Sequence, residues 1–523
     1  MRRTRHWGEW DEANGFNGRV LLADVVATSA AVSATRSRTA KTTALAGLLA
    51  GTAPDEVAAV TAFLAGTPRQ GRIGTGWATL GGLDVAPAPT PSLRVGEVDD
   101  ALSSLQAVSG AGSTAMRRDL LSSLLGRATA DEQRYLVGLL TGELRQGALE
   151  GVMLDAVAAA AGVPTTAVRR AFMLSGRLPE TAAAALSGGA EALAAFRLEL
   201  GRPVRPMLAS PADSVEAALA DTGPASVEHK LDGARIQVHR DGDDVRVWTR
   251  TLRELTASVP ELVAVVRALP CRSVVLDGET LALADDGRPR PFQETMSRFG
   301  AVTGELLLQP YFFDCLHLDG EDLLDAPLRD RLVALDRVAA PYRISSVQTV
   351  SSSDGAAAAA LLAAALAAGH EGVMVKSLSS PYAAGRRGKA WQKVKPVHTL
   401  DLVVLAAEWG HGRRRGQLSN LHLGARDPDG GPPVMVGKTF KGLTDVLLTW
   451  QTAALQEIAV RTDRYTVHVR PSLVVEIELD GVQTSPRYPG GVALRFARVL
   501  RYRPDKDAAE ADSIDTVRAL QAP

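Results

Sequence analysis

Apolar and polar positions follow two different periods along this chain, and the change of period divides it. From about Leu21 to Leu200, apolar residues recur every three or four positions in segments such as RRDLLSSLLGRA and DEQRYLVGLLTGELR, which predicts amphipathic helices. The Pro-bearing stretch LGRPVRPMLASPAD follows near residues 200–212 and indicates a domain boundary. The first part of the chain is therefore expected to be all-α.

Short runs rich in β-branched residues follow this boundary. SVEHKLDGARIQVHR and DVRVWTR flank Asp241-Gly242, a hairpin signal. The Ala-rich stretch at 355–369 predicts one helix, because alanine is the best helix former. From about Thr399, runs such as LDLVVLAAEWG and SLVVEIELDGV suit a small barrel. The pattern thus predicts an α+β region and then a β-rich region.

Length and composition indicate a multidomain protein without a membrane span. A chain of 523 residues suggests roughly three domains at ~150 residues each. The net charge of −1 argues against bulk adhesion to nucleic acid, but it leaves local basic patches open. Two cysteines make neither a disulfide framework nor a four-cysteine zinc site, so a reducing cytoplasm is expected. There is no run of about 20 apolar residues, and Asp24 interrupts the first apolar stretch, so neither a membrane span nor a signal peptide is predicted.

One lysine stands out in a chain that prefers arginine. The chain has 58 lysines and arginines, and nine are lysines, which leaves 58 − 9 = 49 arginines. If EHKLDG forms a strand that ends in a turn, then Glu228, Lys230 and Asp232 share one face. Such a lysine is either half of a buried ion pair or a nucleophilic amine. Arginine could serve the first role but not the second, and this stretch alone leaves both interpretations open.

Further candidate side chains occur downstream. LDGETLAL carries Glu279, YFFDCL carries Phe313, EGVMVKS carries Glu371, and AWQKVKP carries Lys393 and Lys395. Each alone has an ordinary interpretation, as a solvated carboxylate, a core aromatic or a solvated basic face. Together they supply carboxylates for Mg²⁺, an aromatic that can stack on a base, and cations for phosphates. With a lysine amine, this set is what attack on a nucleotide α-phosphate requires.

Seven stretches then occur in the order EHKLDGAR, TRTLRELT, LDGETLAL, YFFDCL, EGVMVKS, AWQKVKP and ALRFARVLRYRPDK. In this order the chain, from roughly Leu21 to its end, resembles the ATP-dependent DNA ligases of the covalent nucleotidyltransferase superfamily. The likeness is to the type shared by archaea, actinobacteria and the eukaryotic replicative enzyme. SATRSRTAKTTALAGLLAG and TGELRQGALEGVMLDA also resemble that family's helical DNA-binding domain. NAD-dependent ligases carry a zinc site and a BRCT module, for which this chain has no matching sequence.

The resemblance implies a multidomain fold. It implies an all-α DNA-binding domain at 20–203, an α+β, ATP-grasp-like adenylation (nucleotidyltransferase) domain at 204–398, and an OB-fold β-barrel at 399–508. Residues 1–19 match no element of this likeness and are expected to be a disordered extension, or upstream sequence translated in error if Val20 is the true start. A C-terminal tail is expected at 509–523.

The resemblance also implies roles for individual residues. Lys230 would be the catalytic amine that forms lysyl–AMP, and Phe313 would stack on the adenine. Glu279 and Glu371 would hold the divalent metal, Mg²⁺ or Mn²⁺. The residues expected to bind ATP are Glu228, Arg235, Arg250, Glu279, Phe313, Arg387, Lys393, Lys395, Arg503 and Lys506. The terminal basic residues expected to orient pyrophosphate are Arg498, Arg501, Arg503 and Lys506.

The activity implied is the sealing of 5′-phosphate/3′-hydroxyl nicks in duplex DNA through lysyl–AMP and a DNA-adenylate. The expected protein is a cytoplasmic, nucleoid-associated monomer that binds nicked duplex DNA and no membrane, and serves replication, repair or recombination. Two alternatives stay open: an RNA ligase of the same superfamily, and a non-catalytic scaffold that binds DNA ends.

Overall fold

A computed structural model describes residues 19–521 except 72, 145–149, 291, 299–306, 350–354 and 384–386. The extension expected at 1–19 therefore lies outside the described residues, apart from Arg19. The described chain forms three regions, and each has a hydrophobic core of its own. Across this described part, no helix is both long and apolar enough to cross a membrane.

The first region is helical, as its apolar period predicts. Local sequence sets the helix ends: Thr129 and Glu132 form a capping box, in which the Glu132 carboxylate accepts from the Thr129 N–H at 2.7 Å. Gly142 ends that helix in the left-handed conformation. The helices are α1 (Leu22–Ala34), α2 (Arg38–Ala50), α3 (Val57–Leu64), α4 (Trp77–Leu80), α5 (Val95–Ala107), α6 (Ser113–Gly126), α7 (Ala130–Thr141), α8 (Glu150–Ala161), α9 (Thr165–Ser175) and α10 (Leu178–Ala194).

The middle region contains two five-stranded sheets flanked by helices. Its strands are β1 (Leu208–Pro211), β2 (Ala225–Lys230), β3 (Ala234–Asp241), β4 (Asp244–Thr249), β5 (Ser273–Ala282), β6 (Leu308–Leu318), β7 (Glu321–Asp322), β8 (Ser346–Thr349), β9 (Gly372–Ser377) and β10 (Arg387–Val394). Its helices are α11 (Val215–Thr222), α12 (Pro260–Arg267), α13 (Phe292–Arg298), α14 (Leu328–Ala339) and α15 (Gly355–Ala367). The strand orders are β1-β10-β9-β2-β8 and β4-β3-β5-β6-β7.

Two sequence predictions for this region are confirmed. The Asp241-Gly242 hairpin joins β3 to β4, with Asp241 opposite Asp244 and Gly242 at a φ of 58°. The Ala-rich stretch is a single helix, α15. The run SVEHKLDGARIQVHR is interrupted by the turn that EHKLDG predicts. It breaks at 231–233, and its two halves, β2 and β3, lie in different sheets.

The third region is β-rich. Its strands are β11 (His398–Trp409), β12 (Leu418–Ala425), β13 (Val434–Thr439), β14 (Ala459–Thr462), β15 (Thr466–Val469), β16 (Val474–Leu479), β17 (Gly481–Thr484), β18 (Val492–Arg495) and β19 (Arg498–Tyr502). Its helices are α16 (Asp445–Glu457) and α17 (Ile514–Ala519). Seven strands form one sheet, and β17 and β18 form a separate hairpin. Ile514 and Val517 are buried in this core, so the segment expected as a tail packs against the strands.

Candidate active site

Lys230 ends β2 beside the carboxylate of Glu371. The two strands set this contact, because β2 pairs antiparallel with β9 so that Lys230 lies opposite Gly372. The Glu371 N–H also donates to the Lys230 carbonyl at 3.0 Å. The Lys230 amine forms an ion pair with Glu371, and each side chain is only about one-fifth exposed (20% and 19%). The rare lysine is therefore half-buried and reachable from solvent.

A cavity of about 210 Å³ opens at Lys230. It lies where the two sheets of the middle region meet, since its lining residues come from strands of both. The predicted site residues that line it are Glu228, Lys230, Arg235, Arg250, Glu279, Phe313 and Lys393. Residues far apart in sequence are thus brought to one pocket.

Glu228 lies on the same face of β2 as Lys230, as the alternation predicts. Its carboxylate accepts from the Ser226 hydroxyl at 2.9 Å and meets the Lys376 amine at 2.5 Å, with both side chains at most 2% exposed. The Lys376 amine also lies 4.0 Å from the centre of the Phe313 ring. This buried ion pair therefore forms the floor of the pocket beside the aromatic ring.

The alternation predicts that His229 faces away from Lys230, but His229 is among the residues that line the cavity. Its ring lies 5.0 Å from that of His370. Burial lowers the pKa of His229, and burial together with the charge of His229 lowers the pKa of His370 to about 4. Both imidazoles are therefore neutral at neutral pH.

Arg235 lines the pocket, and its guanidinium is also bound by other residues of the protein. Its guanidinium forms a bidentate pair with Asp277 at 3.0 and 2.6 Å and donates to the Met207 carbonyl at 2.6 Å. The Tyr382 hydroxyl donates to the same Asp277 carboxylate at 2.6 Å. The guanidinium carbon lies 5.5 Å from the centre of the Phe313 ring. Arg235 thus connects a buried hydrogen-bond network to the aromatic floor.

Glu279 lies near Lys230, Arg235 and Glu371. Burial raises the pKa of Glu279 to about 7, although the charges of Lys230 and Arg235 oppose that rise. Its carboxylate accepts from the Gly233 N–H at 3.2 Å. A side chain at Gly233 would lie 2.5 Å from the Thr280 carbonyl oxygen, so glycine is required for this close approach.

The two lysines of AWQKVKP have different surroundings. Lys393 lines the pocket, and burial lowers its pKa, with the charges of Lys395 and Lys230 acting in the same direction. Lys395 forms an ion pair with Asp480 of the third region. Arg250, in the turn after β4, is exposed and lines the rim of the pocket.

Two residues of the terminal basic motif, Arg503 and Lys506, do not line the pocket. Arg503 pairs with Asp401 at 3.0 Å and with Asp505 at 2.7 Å, and Lys506 pairs with Asp401 at 2.6 Å. The side chain of Arg387 lies outside the described residues, although its backbone begins β10. The roles expected for Arg387, Arg503 and Lys506 therefore stay predictions.

The functional residues that were not predicted from the sequence include Lys376 and Trp391, which line the cavity, and Arg495, which lies beside it. Arg495 lies in β18 of the third region and reaches Asp232 and Glu371 beside Lys230. The rarity of lysine in this chain could have drawn attention to Lys376. Arg495 lies within the stretch ALRFARVLRYRPDK, but nothing in that stretch distinguishes it from the other arginines, because its contact crosses between two regions.

A divalent metal fits this arrangement. Glu279 and Glu371 are close enough that the charge of Glu371 raises the pKa of Glu279. Within the described ranges, no cluster of three or more His, Cys, Asp or Glu side chains is suited to a metal. Mg²⁺ usually binds through one or two carboxylates together with water and substrate phosphates. The donor set therefore suits a metal that arrives with a nucleotide.

Models of known protein families match the three regions separately. Three family models match: "DNA ligase N terminus" over residues 83–158, "ATP dependent DNA ligase domain" over 206–395, and "ATP dependent DNA ligase C terminal region" over 414–506. A protein of Saccharopolyspora erythraea named "Probable DNA ligase" is 69% identical over 505 residues, which cover 96% of this chain and 98% of the relative.

A second relative with the same printed name, from Rhodococcus jostii, is 66% identical over 503 residues and covers 96% of this chain and 99% of its own length. Among solved structures, Pmar-Lig_PreS3 aligns with 92% of this chain and 99% of its own length, with a TM-score of 0.58 and 16% identity. That last likeness concerns the fold alone.

Proposed function

The chain belongs to the family of ATP-dependent DNA ligases, and from that premise we propose how the pocket around Lys230 seals DNA. Lys230 attacks the α-phosphate of ATP, the bond to the β-phosphate oxygen breaks, and pyrophosphate leaves. AMP then passes from the lysine to the 5′-phosphate of a nick. Finally the 3′-hydroxyl attacks that phosphate, AMP leaves, and the strand is continuous.

The observation that carries this proposal is the position of the Lys230 amine. It contacts the carboxylate of Glu371 at the rim of a cavity that Phe313 and Lys393 also line. The attack needs the amine without its proton, so the contact with Glu371 has to break when ATP enters. Arginine could keep the ion pair but could not form the bond to phosphorus.

The lining of the cavity supports a division of binding roles. Phe313 offers a ring for the adenine, and Glu228 lies beside it. Arg250 and Glu279 would bind the ribose side. The phosphates would be met by cations, because charge builds on their oxygens during transfer. The residues proposed for that role are Arg235, Arg387, Lys393 and Lys395.

Arg503 and Lys506 require a movement. We propose that they orient the pyrophosphate leaving group, although both pair with Asp401 here. The third region would therefore shift so that these cations reach the phosphates, and would reopen to admit DNA. Such closure gates a reaction rather than performing its chemistry.

Glu279 and Glu371 are the residues that would hold Mg²⁺, with Mn²⁺ as the other candidate. A cation bound there would neutralise charge on the phosphate oxygens. It would also compete with Lys230 for Glu371, which favours release of the amine from its ion pair.

Nicked duplex DNA is the proposed partner of a monomer. Phe440 and Phe496 are exposed large aromatics (58% and 62%) of the third region, and the Lys441 amine lies 4.9 Å from the Phe496 ring. Exposed aromatics beside cations suit contact with nucleic acid. Phosphate contacts would make binding salt-sensitive and independent of sequence.

We propose the division into domains at 20–203, 204–398 and 399–508 because each region has its own hydrophobic core. An OB-fold is proposed for the third domain, whose strands pair antiparallel. A cytoplasmic, nucleoid-associated role in replication, repair or recombination follows from the proposed reaction alone.

The deciding experiment offers the protein labelled ATP or labelled NAD and asks which one labels it. We expect covalent label from ATP only, and no label on Lys230→Ala. Formation of a covalent adenylate by Lys230→Ala would contradict the assignment. Equal sealing of nicks in RNA and DNA duplexes would contradict the choice of DNA.

A further inference from the structure

The segment 201–207, the interdomain strap, lies between α10 of the helical region and β1 of the middle region. It contains two prolines, Pro203 and Pro206, which restrict its backbone. The helical region and the middle region both form hydrogen bonds with the strap. Along the strap, contacts with one region alternate with contacts with the other. The strap is therefore an ordered part of both regions rather than a loose linker.

On the catalytic side, side chains of β3 bind the strap backbone. Gln237 accepts from the Val204 N–H at 2.8 Å and donates to the Val204 carbonyl at 3.1 Å. His239 Nδ1 accepts from the Gly201 N–H at 3.1 Å. Gln237 and His239 are both buried, so these bonds are shielded from water and a change in them is costly.

The end of the strap joins the network beneath the nucleotide pocket. The Tyr382 hydroxyl accepts from the Met207 N–H at 3.0 Å, and Arg235 donates to the Met207 carbonyl at 2.6 Å. Arg235 is in turn fixed by Asp277 and lies over the Phe313 ring. The position of Met207 is thus coupled to the aromatic floor.

On the other side, the helical region holds Arg205. Its N–H donates to the Met173 carbonyl at 3.0 Å, and its guanidinium lies 4.7 Å from the centre of the Phe172 ring and 3.1 Å from the Glu150 carboxylate. Phe172 and Met173 belong to α9. Arg205 therefore fastens the strap to the helical region.

Arg205 lies three residues before the wall of the pocket. Leu208 and Ala209 line the cavity, and the strand that begins with them pairs in parallel with β10, where Pro211 lies opposite Lys393. Only Pro206 and Met207 lie between Arg205 and Leu208. A shift of the Arg205 backbone would therefore also shift the wall of the pocket.

We propose that Arg205 is a positioning residue, through which the helical region sets the wall of the nucleotide pocket. This inference rests on the proposed function of the pocket. Loss of the contacts that Arg205 makes would weaken ATP binding. It would not alter the reacting groups, because Arg205 does not line the cavity.

The test measures initial rates of adenylate formation against ATP concentration in the full-length protein. Arg205→Met keeps the length of the side chain but loses the charge and the guanidinium plane. We expect the KM for ATP to rise about fivefold, with the limiting rate within about twofold of the wild-type rate. Arg202→Met is the matched control, since Arg202 lies in the same strap but pairs with exposed Glu199. Its KM should stay within about twofold.

A second variant changes the partner of Arg205 in the helical region. Phe172→Leu removes the ring beneath Arg205 while keeping an apolar side chain, and it should raise KM in the same way. The fraction of each variant that becomes adenylated at saturating ATP measures how much of the protein is active. It therefore separates a change in KM from a loss of active protein. An unchanged KM in both variants, with only a smaller active fraction, would show a merely structural role and overturn the proposal. Wild-type protein that carries no Lys230-dependent label would instead overturn the proposed function itself.

Discussion

Arg495 of the third region forms a bidentate ion pair with Asp232, two residues beyond Lys230, at 2.5 and 3.0 Å. Its guanidinium also lies 3.6 Å from Glu371. Burial raises the pKa of Asp232, but the hydrogen bonds and charge of Arg495 outweigh it and hold that pKa below its ordinary value. This contact places the third region beside Lys230.

The first prediction concerns the energetic value of that contact. We expect Arg495→Ala and Asp232→Ala each to slow adenylation by about tenfold, because either change leaves the remaining charge half-buried and without its partner beside Lys230 and Glu371. The double variant should be no slower than the slower single variant. Arg501→Ala is the control, since Arg501 pairs with Glu476 on the surface of the third region. Independent, multiplying effects in the double variant would show that the pair does not act as a unit.

The second prediction separates charge from nucleophilicity at Lys230. Lys230→Arg keeps a cation opposite Glu371, so the melting temperature should stay close to that of the wild type. The variant should nevertheless form no covalent AMP, because a guanidinium stays protonated and does not attack phosphorus. Gel detection of labelled protein measures the first step, and calorimetry measures stability. A labelled Lys230→Arg protein would mean that another residue carries AMP.

The third prediction is a pH dependence of stability. Burial lowers the pKa of His239 from 6.5 to about 3, with His317 and Arg246 contributing. Below pH 6.5 the unfolded chain therefore binds a proton that the folded protein excludes. The stability from neutral His239 is complete above pH 6.5 and is lost as pH falls toward 3, by up to about 1.4 kcal/mol per pH unit.

His239→Asn tests this, because asparagine keeps an acceptor for the Gly201 N–H and does not titrate. The difference in free energy of unfolding between wild type and variant should be constant above pH 6.5 and should shrink below it. A difference that does not depend on pH would contradict the assignment.

The fourth prediction concerns a buried ion pair behind Phe313. Arg331 and Asp314 are both 0% exposed at their side chains, and their two contacts are 2.7 and 3.0 Å. Arg331→Met should destabilise the middle region by about 3–5 kcal/mol, since it leaves a buried carboxylate without its cation. Denaturant unfolding measures the loss. Arg329→Met, at an exposed position on the same helix, should change stability by less than about 0.5 kcal/mol.

Much of the local structure follows from the sequence. The period of apolar residues predicts the helical first region, and the Asp241-Gly242 turn predicts the β3–β4 hairpin. Alternation along β2 places Glu228 and Lys230 on one face and His229 on the other. These features depend on neighbouring residues, whose relative directions are set by backbone geometry.

The sequence by itself determined which residue types are available: a rare lysine, two acidic residues, an aromatic and a run of cations. Only the tertiary structure decided that β2 and β3 separate into two sheets, with the pocket where those sheets meet. It also decided that Lys376 lies beneath Phe313, that Arg235 is engaged by Asp277, and that Arg495 reaches Asp232 from the third region. The physical reason is that these contacts join residues distant in the chain, whose approach depends on the packing of whole sheets and domains rather than on local periodicity.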